Sequence, residues 1–323
     1  MRILVTGANG LLGHHVVMEL LERNEQVSII VRSTANIYFN LQRVHIFKGD
    51  FTDYETLKKA ANGCDAVIHA AAVTVTHLLH YSDYENVNVR GSANVLRVCD
   101  ELGINNIVFI SSSNTIGYGT SENPANEHSP IKFPFTNSHY AQSKLAAEQL
   151  FFEASHQPDK HIIIINSCFL IGGYDTKNSS GRLVKMGYKK PVLFIPRGGK
   201  NFVPAKSVAR AAFNALKNGN NGEKYLVCGE NLSFRQFFDR QKTIGNYGQK
   251  TIEVPDWIML ISGRLGDLLR KMGIKTDVST SNVRQLLVRE YYSGEKALKA
   301  LKFSSENLEN AISDAIDWIE KGK

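Results

Sequence analysis

The chain has 323 residues, 43% of them hydrophobic, and a formal net charge of +7. That is enough apolar material for one large or two modest domains, and the lack of any run of about 18 consecutive apolar residues excludes a membrane-spanning helix. The basic residues are dispersed, densest in KKP at 189–191, which disfavours nucleic acid and leaves an anionic small ligand as the partner the charge suits.

The first predicted strand, ILVT at 3–6, runs directly into TGANGLLGHH. No charged leader followed by a long apolar stretch precedes it, so no secretory signal is expected. Gly7, Gly10 and Gly13 lie between this strand and a helical pattern over 11–23. A turn of this kind brings backbone N–H groups and a helix N-terminus against a pyrophosphate, and side chains would block the approach. The spacing is GxxGxxG rather than GxGxxG. Asn9, Leu11 and Leu12 share the turn and join the three glycines as candidate cofactor contacts. The second strand, VSIIV at 27–31, ends in Arg32 and Ser33 with no acid beside them. An acid here would suit the ribose 2′-hydroxyl of NAD(H), whereas a guanidinium suits a 2′-phosphate, so NADP(H) is favoured with NAD(H) still open.

Strands follow at 44–47, 66–70, 107–111 and 161–166, separated by helical patterns at 53–61, 84–102 and 139–155. Val, Ile and Phe dominate the strands, as in a parallel sheet buried on both faces. The alternation predicts an α/β fold with a doubly wound, Rossmann-type parallel sheet. After residue 166 the rhythm breaks into a turn-rich segment, 172–202, then a helical stretch AKSVARAAFNALKNG and a strand KYLVC. From 231 the chain reads mainly as helices; in the last, Leu308, Ile312, Ala315, Ile316 and Ile319 share one face. The expected organisation is a dinucleotide-binding domain over 1–166, to which 203–230 returns, and a smaller, mostly helical substrate lobe from 167–202 and 231–323. The cysteines (Cys64, Cys99, Cys168, Cys228) lack CxxC spacing. Neither a metal site nor a disulfide framework is expected, and the cytoplasm is the expected compartment.

A tyrosine stands four residues before a lysine at Tyr54–Lys58, Tyr140–Lys144 and Tyr292–Lys296. Only Tyr140 starts a helix that follows a sheet strand ending in serines, IVFISSS at 107–113. The carboxyl ends of strands are where ligands bind in this fold.

TGANGLLG at 6–13, GDFTD at 49–53, HAAA at 69–72, NVNVRGSANVL at 86–96, FISSS at 109–113 and YAQSK at 140–144 together resemble the extended short-chain dehydrogenase/reductases of the NAD-dependent epimerase/dehydratase superfamily. YSGEKALKALKF and the helix after it look closest to the dihydroflavonol-4-reductase and 3β-hydroxysteroid-dehydrogenase-like branch. The resemblance implies a catalytic set of Ser112, Tyr140 and Lys144. Tyr140 would exchange the proton, Ser112 would hold the substrate oxygen, and Lys144 would bind the nicotinamide ribose and favour the phenolate. Counting from Phe109 selects Ser112, while counting back from Gly117–Tyr118–Gly119 favours Ser113 or a neighbour, with Ser111 the remaining member of the run. Asp50 and Phe51 match the pair that flanks the adenine. Ala70, Ala71 and Ala72 would give close backbone approach to the cofactor. Asn88 matches an asparagine that organises a proton path behind the lysine, although a structural hydrogen bond explains it equally. Ser167 and Ser207 stand where relatives often carry Pro and Asp.

The implied activity is interconversion of a carbonyl and an alcohol on a small or medium-sized substrate with NADP(H). A nucleotide-sugar epimerase using tightly bound NAD is the alternative, and a dinucleotide-binding sensor without turnover is a third reading. A 4,6-dehydratase would need an acidic pair where Ser113–Asn114 stands. The loops 73–84 and 133–139, with Tyr81, Tyr84, Phe133 and Phe135, are the expected substrate mouth. A homodimer through helices 84–102 and 139–155 is what relatives suggest; no membrane partner is expected.

Overall fold

The structure, a computed structural model, describes residues 1–75, 77–177 and 179–322. Thr76 of the expected mouth segment therefore lies outside the described residues. The first half alternates β1 (Arg2–Thr6), α1 (Leu11–Glu22), β2 (Gln26–Val31), β3 (Val44–Lys48), α2 (Tyr54–Ala61) and β4 (Ala66–His69). A short α3 (Tyr81–Tyr84) runs through a π-helical turn, Glu85–Arg90, into α4 (Gly91–Glu101). Then come β5 (Asn106–Ser112), α5 (His139–Ala154) and β6 (His161–Ser167). The helix expected over 84–102 starts three residues earlier, at Tyr81, inside the expected mouth loop. The other bounds agree with the sequence expectation to within one or two residues, because each central strand is a β-branched or aromatic run that the helices cover on both faces.

The second half supplies β7 (Phe169–Ile171), α6 (Gly181–Gly187), β8 (Val192–Ile195), β9 (Gly199–Pro204), α7 (Ala205–Asn218), β10 (Lys224–Val227) and β11 (Glu230–Ser233). It continues with α8 (Phe234–Ile244), β12 (Lys250–Glu253), α9 (Asp256–Lys271), α10 (Thr280–Leu287), β13 (Arg289–Glu290), α11 (Glu295–Leu301) and α12 (Leu308–Glu320). Seven strands form one parallel sheet in the order β10-β6-β5-β4-β1-β2-β3. Chain order reverses direction between β1 and β4, so a crevice opens at their carboxyl ends, the switch point where this fold takes ligands. One face of the sheet packs with α1 and α7 through Val16, Leu20, Val208 and Phe213. The other packs with α2, α4 and α5 through Leu57, Val95, Cys99 and Phe151.

A separate core holds Ile171, Val184, Ile195, Phe202, Phe237 and Phe238 against Leu308, Ile312 and Ile316 of α12, with Ile319 partly buried beside them. The expected apolar face of α12 is thus the buried one. This lobe also contains a four-stranded sheet built on β9 and a β8–β12 pair. Strands of two to six residues leave too short a period to read from sequence. The two-lobe division remains our proposal, with one complication: Ala297, Leu301 and Phe303 pack in the same core as Val5 and Val16. All four cysteines are buried and free.

Candidate active site

The glycine turn is built as close packing requires. Gly7 has φ +77°, and a Cβ there would stand 2.7 Å from the Ala71 backbone nitrogen. A Cβ at Gly13 would stand 2.1 Å from the Gly7 carbonyl oxygen, so strand and helix approach only because both side chains are missing. Gly10 is the N-cap of α1, with no capping side chain and no acid in the first turn. The Gly10 N–H donates to the Gly7 carbonyl at 2.9 Å and closes the turn, while the first-turn N–H groups of α1 at Leu11 and Leu12 and the positive end of the helix dipole suit a phosphate group. Ala71 N–H donates to Thr6 Oγ1 at 3.2 Å, which places Ala70, Ala71 and Ala72 across the crevice from Gly7. These residues fit a dinucleotide: Gly7 and Gly13 let strand, turn and helix pack closely, and the α1 N-terminus above them is left without a capping side chain.

At the end of β2, Arg32 is 3.7 Å from Asp50 Oδ2, and both are solvent-accessible. Asp50 Oδ1 also accepts from the Thr52 N–H at 3.0 Å and hydroxyl at 2.9 Å. Phe51 lies against Gly91, where a Cβ would meet its ring at 2.7 Å. Sequence reasoning missed Lys177. Partial burial of the ammonium and the nearby Arg32 guanidinium push it below the ordinary lysine value, although the residue as a whole is exposed. Thr176 beside it donates to the Asn9 carbonyl at 2.8 Å, so segment 174–177 closes over the glycine turn. Its contacts join positions 167 residues apart, which no local pattern reveals.

The three consecutive serines separate by partner. Ser111 Oγ donates to Glu148 Oε2 at 2.7 Å, in the core. The Ser113 carbonyl accepts from Tyr292 Oη at 3.2 Å, and its side chain lies beside the Cys168 thiol. Ser112, at the carboxyl end of β5, accepts from the Asn114 N–H at 3.2 Å and has its hydroxyl beside the Tyr140 phenol. Burial raises the phenol pKa, and the Ser112 hydroxyl opposes the rise. One helical turn on, Lys144 is 2% exposed. Its Nζ donates to the Ile110 carbonyl at 2.7 Å and lies 4.2 Å from the centre of the Phe109 ring. Burial lowers its pKa to about 7, against the pull of the Glu148 carboxylate.

Behind this set runs a buried polar chain. His69 bridges Thr6 Oγ1 at 2.6 Å and Ser92 Oγ at 3.1 Å. Ser92 donates to the Asn88 carbonyl at 2.6 Å, and Asn88 Nδ2 donates to Ser143 Oγ at 2.9 Å. Asn88 also exchanges hydrogen bonds with Val73. It sits in the π-helical turn, whose extra residue redirects one side chain, a feature frequent at functional sites.

The mouth aromatics divide. Phe135 is fully buried core. Tyr84 is buried and donates to the Val75 carbonyl at 2.7 Å. Tyr81 is half-buried beside His139, and Phe133 is 50% exposed under Arg284. Of the two departures, Ser207 Oγ accepts from Glu306 N–H at 2.8 Å and anchors the approach to α12. Tyr54 packs partly buried against the α2–α4 core with Arg97 over its ring at 4.4 Å, away from this crevice; Tyr292 lies closer than its sequence position suggests, through its bond to Ser113.

A model of the NAD dependent epimerase/dehydratase family matches residues 3–228. A putative dihydroflavonol 4-reductase of Synechocystis sp. is 27% identical, over 98% of this chain and 94% of the relative. Sterol demethylase protein B of Methylococcus capsulatus is 25% identical, over 99% of both chains. The UDP-glucose 4-epimerase of Thermus thermophilus, solved in complex with NAD, superposes with a TM-score of 0.77 at 20% identity over 100% of both chains.

Proposed function

The chain belongs to the NAD-dependent epimerase/dehydratase family, and from that premise we propose that it is an NADP(H)-dependent reductase, or in reverse a dehydrogenase. Its substrate is a small or medium-sized organic carbonyl compound or the matching alcohol. The observation that carries this reading is that the Ser112 hydroxyl lies beside the Tyr140 phenol, with Lys144 one turn further along the same helix. Relatives named as reductases and sterol enzymes support it.

A bound nicotinamide dinucleotide supplies the hydride chemistry. The chain's residues bind, orient and move the proton. The glycine turn and the α1 N-terminus hold the pyrophosphate. Arg32 and Lys177 offer two cations to a 2′-phosphate, which supports NADP(H) over NAD(H). Ser112 holds the substrate oxygen in line with the Tyr140 phenol. Tyr140 gives that oxygen a proton in reduction and takes one in oxidation. Protonated Lys144 favours the phenolate at the moment of transfer, and the Asn88–Ser143 pair fixes the turn that carries both residues.

The test is a panel of carbonyl compounds and nucleotide sugars offered with each cofactor. Net NADPH oxidation with a carbonyl substrate is expected. Conversion of a nucleotide sugar with no net change in nicotinamide absorbance would replace this reading with epimerisation, and cofactor binding without turnover would replace it with a sensor. Arg32→Ala is expected to raise the KM for NADPH about tenfold or more while leaving that for NADH within about twofold. Equal effects on both would remove the 2′-phosphate role.

A further inference from the structure

α9 is turned inside out. A surface helix ordinarily buries its apolar stripe. Here Trp257 (64% exposed), Ile261 (48%), Leu265 (57%), Leu268 (55%) and Met272 (68%) run down the outward side. The inward side carries Gly263, Gly266 and Asp267, with the partly buried Met259 and Leu260 toward its start. A Cβ on Gly263 would stand 2.9 Å from Thr280 Cα, and one on Gly266 would stand 2.2 Å from the Val278 carbonyl oxygen. Asp267 also faces inward, accepting from the Thr280 N–H at 3.2 Å. Close packing on the segment entering α10 thus admits only the glycine side, and the apolar side is left outward.

The exposed charges along the C-terminal two-thirds of this stripe are cationic. Arg264 and Lys271, seven residues apart, are exposed beside Leu265 and Leu268, and Lys275 is exposed just beyond the helix. Of the acids, Asp267 is bound inward, Asp277 pairs with Arg182 and His77, and only Asp256 stands exposed, at the far end. The apolar surface continues past Val278 to Val75 and Leu79, all exposed, where the His77–Asp277 pair at 3.6 Å joins the mouth loop to the α9–α10 turn.

We propose that α9 docks this protein on an anionic lipid surface. Trp257 and the leucines enter the headgroup–acyl boundary, and Arg264, Lys271 and Lys275 reach lipid phosphates. A second copy of the chain would bring this cationic rim against itself, whereas anionic lipid complements it. The expectation of no membrane partner rested on the lack of a spanning segment, and a helix lying in the interface needs none. The docking is independent of the reaction proposed above.

The full chain is mixed with vesicles of phosphatidylcholine alone, or of phosphatidylcholine and phosphatidylglycerol in equal amounts, and floated on a density gradient. Partition into the mixed vesicles is expected to exceed partition into phosphatidylcholine by about tenfold or more, falling with added salt. Trp257 emission should shift to the blue on binding, a change absent from Trp257→Phe. Leu265→Glu/Leu268→Glu should abolish flotation, and Arg264→Glu/Lys271→Glu should abolish the preference for anionic vesicles, with circular dichroism unchanged in both. Absence of flotation by the wild-type chain from either vesicle would overturn the proposal. So would sedimentation velocity showing a dimer that Leu265→Glu/Leu268→Glu dissociates, which would assign the face to a second copy.

Discussion

Within the serine run, three neighbours with one side-chain type do three jobs, and the partner of each decides which. Ser112→Ala removes the group beside the phenol and is expected to lower kcat about a hundredfold or more. Ser113→Ala is expected to stay within a few-fold of wild type, because its carbonyl holds Tyr292 and survives the change. Steady-state rates on the pair check this, and the reverse order would move the role to Ser113. The pH dependence follows from Lys144, whose pKa burial lowers to about 7. Carbonyl reduction draws a proton from the Tyr140–Lys144 pair, so its kcat/KM should be level at low pH and fall as pH rises through about 7. Alcohol oxidation needs the deprotonated pair and should rise over the same range. Parallel limbs in the two directions would rule out this pair as the proton route. Residue types and their positions at strand ends were legible in the amino-acid sequence. Which serine faces the phenol was not, since that depends on how β5 ends against α5, and Lys177 escaped notice because its neighbours come from distant segments.

Among the elements, the β1–α1 turn is the strictest. The Gly13 position leaves 2.1 Å between a Cβ and the Gly7 carbonyl oxygen, far inside any real contact. Gly13→Ala therefore forces helix and strand apart. A fall in thermal midpoint together with a loss of cofactor affinity of about tenfold or more is expected. Retained affinity in a calorimetric titration would show that the turn adapts. The large parallel sheet was readable because its strands are apolar, β-branched and punctuated by turn residues. The lobe's small sheets were not, because β7 and β13 have only three and two residues. α9 shows the opposite case: its periodicity is plain in the sequence, yet the pattern says only that one side is apolar. Two glycines and their backbone neighbours decide that this side faces out.

For the molecule as a whole, three buried histidines couple folding to acid. Burial lowers His14 and His69 to about 3 and His15 to about 4, from 6.5. The neighbouring His15 adds to the effect at His14 and Lys144 adds to it at His69, while at His15 the Gly173 hydrogen bond opposes it. Each is neutral when folded, so below about pH 6.5 the unfolded chain binds protons that the folded chain refuses. Their stabilisation is complete above about pH 6.5 and is lost progressively as pH falls toward about 4, by on the order of a few kcal/mol for each site. Denaturant midpoints across that interval measure the slope, and His69→Gln should flatten it. A curve indifferent to pH there would mean that these rings are solvated. One carboxylate, finally, constrains how such a molecule can change. Glu148 Oε2 accepts from Ser111, Thr115 and Asn166 at 2.7–2.9 Å, and its other oxygen pairs with Lys224. A single α5 side chain thereby rivets the serine loop, three neighbouring strands and the tyrosine helix into one stiff floor. Divergence toward new substrates has little room to act on that floor without breaking it, and would fall instead on the α9–α10 cap and the mouth loops, where alterations leave the chemistry alone.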